Sequence, residues 1–333
     1  MIMVSFRGAT ASEIKRLDKE FSLYKIGNVI LYNWAGNIKS PKQLKNLTQW
    51  LQEKSGQSVP MFIAVDQEGG KISRLSVDKG FRPSVSARYL GLINNVDTTR
   101  FWSTSTAECL QNVGININLA PVVDLNIDPK NPIIGKYQRS FSPNAQIVEA
   151  HASTFIKCHR EKHIFCAIKH FPGHGSSTTD SHIESADISS TWNENELEPY
   201  RELIQEDLCD MVMLAHVYNS KIDSIFPATL SKATIEVLLR KKLNFKGITI
   251  SDDLNMKAIK NKYSIDESIE LAINAGIDII LLSERHFEDG TYSAEKAFTT
   301  IKKLVEQGKI PSQRIDESYK RIVELKKRLK PSL

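Results

Sequence analysis

Phe165-Cys166-Ala167-Ile168-Lys169-His170-Phe171-Pro172-Gly173-His174-Gly175 opens as an apolar run and ends as a polar turn. The apolar part, Ile164–Ile168, reads as a short buried strand. It finishes on Lys169-His170 and breaks into a Gly/Pro/Ser/Thr loop that continues to Asp180-Ser181-His182. Three of the chain's eight histidines fall between Lys169 and His182. A buried strand with such an ending delivers charged side chains to one edge of a core. Loops on a rigid scaffold are where binding and catalytic groups gather.

Working outward, the chain alternates short β-branched runs with longer amphipathic ones. Strands are predicted at Ile2–Phe6, Asn28–Tyr32, Met61–Asp66, Ile115–Asp124, Phe165–His170, Met211–Val217, Ile248–Asp252 and Ile279–Ser283. Helices are predicted at Pro41–Glu53, Asn144–Glu161, Glu194–Gln205, Ser231–Lys242, Asp266–Ala275, Ser293–Gln307 and Ser312–Leu329. Ser231 and Ser312 stand at N-cap positions, and Gly276 at a helix stop. This alternation implies βαβ units and a parallel sheet. Eight strands in this length predict a closed (β/α)8 barrel of the TIM type, an α/β fold, as one domain over residues 1–333. An open doubly wound sheet is the alternative, weakened because no GxGxxG or Walker-type loop is present. Polar residues recur where the strands end: Asp66, Asp124, Lys169-His170, His216, Asp252 and Ser283. In a parallel barrel those ends share the face that carries the active site. A lone Asp there also fits a helix N-cap.

Composition sets bounds. The 333 residues are 41% hydrophobic and 25% charged, as expected of a globular protein. The net charge of +5 is spread along the chain without a basic stripe, so no nucleic-acid partner is expected. Cys109, Cys158, Cys166 and Cys209 show no CxxC pairing and read as reduced and mostly buried. No run is long and apolar enough to span a membrane. The chain opens directly on an apparent core strand without a leader. Cytoplasmic, periplasmic and secreted locations all fit, the last two if a leader was removed. A monomer is the default expectation.

Three stretches carry chemistry. Ile248–Met256 runs a strand into Asp252-Asp253, where one carboxylate suits the barrel mouth and the other a helix cap. In Phe62–Arg74, Asp66 and Arg74 suit either the vicinal hydroxyls of a sugar or a structural ion pair. In an extended segment Asp180 and His182 point to one side, so Asp180 can fix the tautomer of an acid/base imidazole, or only stabilise a turn. A metal site from His170, His174, Asp180 and His182 is the weaker reading, because His170-x3-His174 crosses a Pro-Gly turn.

KHFPGHG followed by DSH, with strand-end DQEGG and SDDLNM, resembles the catalytic barrel of family 3 glycoside hydrolases. The likeness is to the single-barrel β-N-acetylglucosaminidase (β-hexosaminidase) branch, whose members recycle or trim bacterial peptidoglycan. It runs from Phe6-Arg7-Gly8 to the helix after Asp252. The resemblance implies Asp252 as nucleophile, His182 as acid/base and Asp180 as its dyad partner. It also implies sugar-binding roles for Asp66, Arg74, Arg139, Lys169 and His170. Arg139 and Lys169 also suit ion pairs with Asp66 or Asp124. Lys71 stands where the family usually has Arg, and Ser176-Ser177 replace the commoner Asp-Thr. No second α/β domain follows before Leu333, as in the branch that uses a loop histidine.

The implied reaction is retaining hydrolysis of a terminal β-linked N-acetylglucosamine from a small saccharide, without metal or other cofactor. A β-glucosidase or β-xylosidase using Glu68 or Glu184 as acid, and a silent sugar-binding relative, are the competing expectations. The composition of Gly173–Ser181 predicts a loop that moves to deliver His182.

Overall fold

Alternation within the apolar runs decides which side chains fill the centre of this molecule. A computed structural model describes residues 1–55, 59–179 and 186–329. One parallel sheet contains β1 (Ile2–Val4), β2 (Asn28–Ile30), β3 (Phe62–Val65), β4 (Ile117–Asn118), β5 (Phe165–Phe171), β6 (Met211–Leu214), β7 (Ile248–Ser251) and β8 (Ile280–Leu282). Each strand pairs with its neighbours in chain order, and β1 also pairs with β8 through Ile2 and Ile280. Ile250 bridges Ile279, and the Ser251 N–H donates to the Ile279 carbonyl at 3.0 Å, so β7 meets β8 and the sheet closes. The expected (β/α)8 barrel is what forms.

Phe62 and Ala64, Phe165 and Ala167, and Ile248 and Ile250 pack together inside it. The residues between them, such as Ile63 and Val65 or Cys166 and Ile168, face outward against the helices. With a side-chain period of two, one further step puts Asp66, Lys169 and Asp252 on the inward side where the strands end.

Several predicted strands are shorter than expected. The clearest case is Ile115–Asp124, of which only Ile117–Asn118 is strand. Pro121 has no N–H to give a ladder, and the Asn118 side chain takes over the pairing with the neighbouring chain. Its Oδ1 accepts from the Gln67 N–H and its Nδ2 donates to the Gln67 carbonyl, both at 3.0 Å.

The expected helices form with small shifts at their ends, from Pro41–Ser55 to Ser312–Lys327. Glu194–Leu197 is a 3-10 turn that leads into the helix Glu198–Gln205, and Ala233–Lys242 is π-wound. Ser231 Oγ accepts from the Thr234 N–H at 3.0 Å, as a cap should, and Gly276 ends its helix with φ at 117°. Ser312 does not cap: it lies inside its helix, and Pro311 precedes it.

The N-terminal end of the barrel is closed by Ile322, Leu325 and Leu329. There Asp278, with no exposed surface, accepts from Arg240 at 2.7 Å, Arg314 and Arg321 at 3.0 Å, and Ser318 at 2.6 Å. Burial opposes its charge, but the three guanidinium groups outweigh burial and keep the carboxyl ionised below its usual range.

Candidate active site

The C-terminal ends of β2–β8 surround a cavity of about 430 Å³. Asp66, Arg74, Arg139, Lys169, His170 and Asp252 all line it, so six of the expected site residues converge. Asp180 and His182 lie outside the described residues. Asp124 and His216, in the loops beyond β4 and β6, do not line the cavity; Asp124 supports His170 from behind.

β3 supplies Asp66 and a hairpin returns Arg74. Gln67–Gly69 pairs antiparallel with Ile72–Ser73. The turn between them needs glycine: Gly69 has φ at 96°, and a Cβ there would come 2.1 Å from the Val85 carbonyl oxygen. The Gln67 side chain then accepts from the N–H groups of Arg74 at 2.8 Å and Leu75 at 2.9 Å. Arg74 reaches Asp66 only at 3.5 Å, whereas Lys169 donates to it at 2.8 Å. Burial opposes the charge on Asp66, yet Lys169 and Arg74 keep its carboxyl below the usual range.

Glu68 is the partner that the sequence did not assign. It accepts two hydrogen bonds from Arg139, at 2.8 and 2.7 Å, and pairs with Lys169 at 2.7 Å. The expected pairing of Arg139 with Asp66 or Asp124 is therefore corrected: its carboxylate partner is Glu68. DQEGG contained the signal, because a strand-end acid beside Asp66 requires its own cations once buried. Burial opposes the Glu68 charge, and Arg139 and Lys169 overcome it, so this carboxyl stays ionised far into acid.

His170 joins the group from the other side of β5, where the register shifts between Ile168 and Phe171. Its Nδ1 lies 2.7 Å from Asp124 Oδ2 and its Nε2 lies 3.1 Å from Arg139 Nη2. Arg139 can only donate, so Nε2 accepts and Nδ1 carries the proton. Asp124, with no exposed surface, also accepts from the N–H groups of His170 and His174.

The β4 and β5 loops are knitted together by Asn131. Its Oδ1 accepts from Ile133 and Ile134, while its Nδ2 donates to the carbonyls of His174 at 2.8 Å and Gly175 at 3.2 Å. Gly173 to Ser177 are buried. In this structure buried hydrogen bonds hold this part of the Gly173–Ser181 segment, whose end, with Asp180 and Ser181, lies outside the described residues. Ser176 and Ser177, the departures from the family pattern, lie inside it.

The adjacent aspartates divide as expected in part. Asp253 Oδ1 accepts from the N–H groups of Asn255 and Ser283, both at 3.0 Å, tying β7 to β8 and stabilising the turn. Burial raises its carboxyl above the usual range. Asp252 accepts the Asp253 N–H at 2.8 Å and faces the cavity. Tyr32, one inward step past Ile30, lines the cavity too, and strand parity alone would have found it.

A cavity this polar, at the C-terminal mouth of a parallel barrel, is where enzymes of this fold work. The model of the glycosyl hydrolase family 3 N-terminal domain matches residues 1–325, and the chain belongs to that family. β-Hexosaminidase A of Pseudoalteromonas piscicida is 33% identical over 98% of this chain and 57% of that protein. A β-hexosaminidase of Nitrosomonas eutropha is 33% identical over 84% of this chain and 80% of its own length. Among solved structures, a family 3 β-N-acetylglucosaminidase from Paenibacillus sp. str. FPU-7 aligns with a TM-score of 0.89 and 31% identity. That alignment covers 100% of this chain and 62% of the other. The β-N-acetylhexosaminidase of Beutenbergia cavernae gives 0.84 at 27% identity, covering 98% of this chain and 96% of that one. The chain thus spans little more than half of the first of these relatives and nearly all of the last.

Proposed function

We propose that this chain hydrolyses a terminal β-linked N-acetylglucosamine with retention of configuration, on small saccharides derived from peptidoglycan or chitin. The observation that carries the reading is the convergence of Asp252 with Asp66, Arg74, Arg139, Lys169 and His170 on one cavity. Asp66 accepts from sugar hydroxyls, while Lys169, Arg139 and Arg74 donate to them. The names and folds of the relatives support the choice of sugar.

In the first step a carboxylate oxygen of Asp252 bonds to the anomeric carbon as the glycosidic C–O bond breaks. His182, polarised by Asp180, gives its proton to the departing oxygen. Water then attacks the anomeric carbon of the glycosyl–Asp252 ester, His182 takes the proton from that water, and the carboxylate leaves. Retaining enzymes usually employ two carboxyl groups about 5–5.5 Å apart; here the imidazole replaces one. Glu68 is unsuited to be the proton donor of a β-glucosidase mechanism, because Arg139 and Lys169 keep it ionised.

Trapping with a 2-fluoro N-acetylglucosamine analogue, followed by peptide mapping, tests the scheme. A stoichiometric adduct on Asp252 is expected; an adduct on another residue, or none with turnover intact, overturns it. Comparing 4-nitrophenyl β-N-acetylglucosaminide with the β-glucoside tests the sugar assignment.

A further inference from the structure

Beyond the residues that hold the terminal sugar, a largely exposed tryptophan stands at the rim of the cavity. Trp34 lines the cavity, yet 51% of it is exposed. Its ring stacks on Tyr32 at 5.1 Å and 23°, and Tyr32 is itself buried. The pair runs from the inside of the mouth to its edge.

The turn that carries Trp34 is built to hold still. Asn37, with no exposed surface, accepts the Tyr32 N–H at 2.9 Å. Its Nδ2 donates across to the carbonyls of Phe6 at 2.9 Å and Gly8 at 2.8 Å. The Gly8 N–H returns a bond to the Ala35 carbonyl at 3.0 Å. One buried amide thus locks the Trp34 turn to the β1 loop, and Arg7 sits in the bonded stretch. The Arg7 guanidinium carbon stands 5.5 Å from the Trp34 ring centre, and its side chain is 70% exposed. It touches Glu284 only at 3.8 Å. A large apolar ring displayed on a clamped turn, beside a donor fork with spare hydrogen bonds, is arranged for a ligand.

We propose that Trp34 and Arg7 form the subsite for the second ring, the leaving-group sugar, of a β-linked saccharide. The inference rests on the glycosidase reading above. With the terminal sugar seated among Asp66, Lys169 and Asp252, as proposed above, whatever is attached to it extends toward the rim. A pyranose presents an apolar C–H face and a polar edge of hydroxyls. The indole receives the face, and Arg7 donates to the edge.

The experiment compares two substrates of the full chain: the β-1,4-linked disaccharide of N-acetylglucosamine, and N-acetyl-β-glucosaminyl fluoride, whose leaving group is one atom. The readout is the ratio of kcat/KM for disaccharide over fluoride. Trp34→Ala is expected to lower that ratio about tenfold, and Arg7→Ala to lower it by a smaller factor. Trp34→Leu, which keeps apolar bulk without a flat face, should also lower it, while Trp34→Tyr stays near the parent value. An unchanged or raised ratio in both Trp34→Ala and Trp34→Leu overturns the subsite even if both activities fall, since the ring then serves the fold or the terminal sugar. A parent protein that turns over neither substrate removes the glycosidase reading and the subsite together. A parent that turns over only the fluoride removes the subsite alone.

Discussion

Glu68 and Arg139 face each other as a two-pronged pair, Nε to Oε2 at 2.8 Å and Nη2 to Oε1 at 2.7 Å, with both side chains nearly inaccessible. Lys169 closes on the same Oε1 at 2.7 Å. Two cations therefore share one carboxylate in a place that water scarcely reaches.

Removing that carboxylate leaves both cations short of compensation. Breaking a buried pair costs about 3–5 kcal/mol because a charge is left behind. Glu68→Ala is expected to lose stability in that range by urea denaturation. Glu68→Gln, which keeps one acceptor, should lose less. Both variants should lose activity, because Arg139 and Lys169 are freed to collapse onto Asp66. A neutral effect on stability would mean that water reaches this pair.

Asp252 faces the cavity, half-buried, and accepts the N–H of Asp253. Asp252→Ala is accordingly expected to keep its melting temperature within about 2 °C, the range of a near-surface change. Its kcat should fall at least about 10³-fold if Asp252 forms the ester as proposed. His182→Ala should fall about 10²–10⁴-fold, the usual range for a lost acid/base. Steady-state kinetics with circular dichroism on the same samples checks both.

The frame of this molecule was legible because strand chemistry repeats. Inward parity through Phe62, Ala64 and Asp66, or Ile248, Ile250 and Asp252, is visible in the letters and fixes what the mouth receives. Pairing was less legible. Lys169 could have met any of several acids, and only the hairpin turn at Gly69-Gly70 brings Glu68 within its reach. Loop contacts were the least legible: Gly173–Ser177 has the composition of a mobile segment. Asp124 and Asn131, distant in sequence, satisfy its backbone and hold it down. Long-range capture of this kind leaves no local trace.

Beneath that segment lies Glu196, with no exposed surface. Its carboxyl lies beside the Ser176 side chain and the Gly175 and Ser176 backbone, which offset burial only in part. Burial pushes it up to about 7. The unfolded chain releases this proton near pH 4.5, while the folded chain keeps it until about 7. Between those values the native state binds more protons, so this group lowers stability as pH rises, and the loss levels off above about 7. Glu196→Gln removes the titration. Relative to the parent, the variant should gain on the order of 2–3 kcal/mol between pH 4 and pH 8. Urea denaturation of both proteins at the two values checks this. A difference that does not change with pH would show that Glu196 is hydrated and ionises normally.

Asp124 offers the sharpest test of how the site holds its protons. The carboxylate accepts from two backbone N–H groups and from His170 Nδ1, and it has no surface of its own. An asparagine there has the same shape but only one oxygen, so its amide group must face a donor. Asp124→Asn should therefore cost about 2–4 kcal/mol, more than an ordinary lost hydrogen bond, since a buried donor is left unpaired. The Nδ1–H tautomer of His170 then loses its support, and Nε2 no longer reliably accepts from Arg139. We expect kcat/KM to fall about 10²-fold, with the ¹⁵N shifts of the His170 ring moving from one tautomer to a mixture. His170→Ala in the Asp124→Asn background should add little, because the two residues act through one hydrogen bond. Full additivity of the two substitutions, with an unchanged His170 spectrum, would show that Asp124 serves the backbone alone.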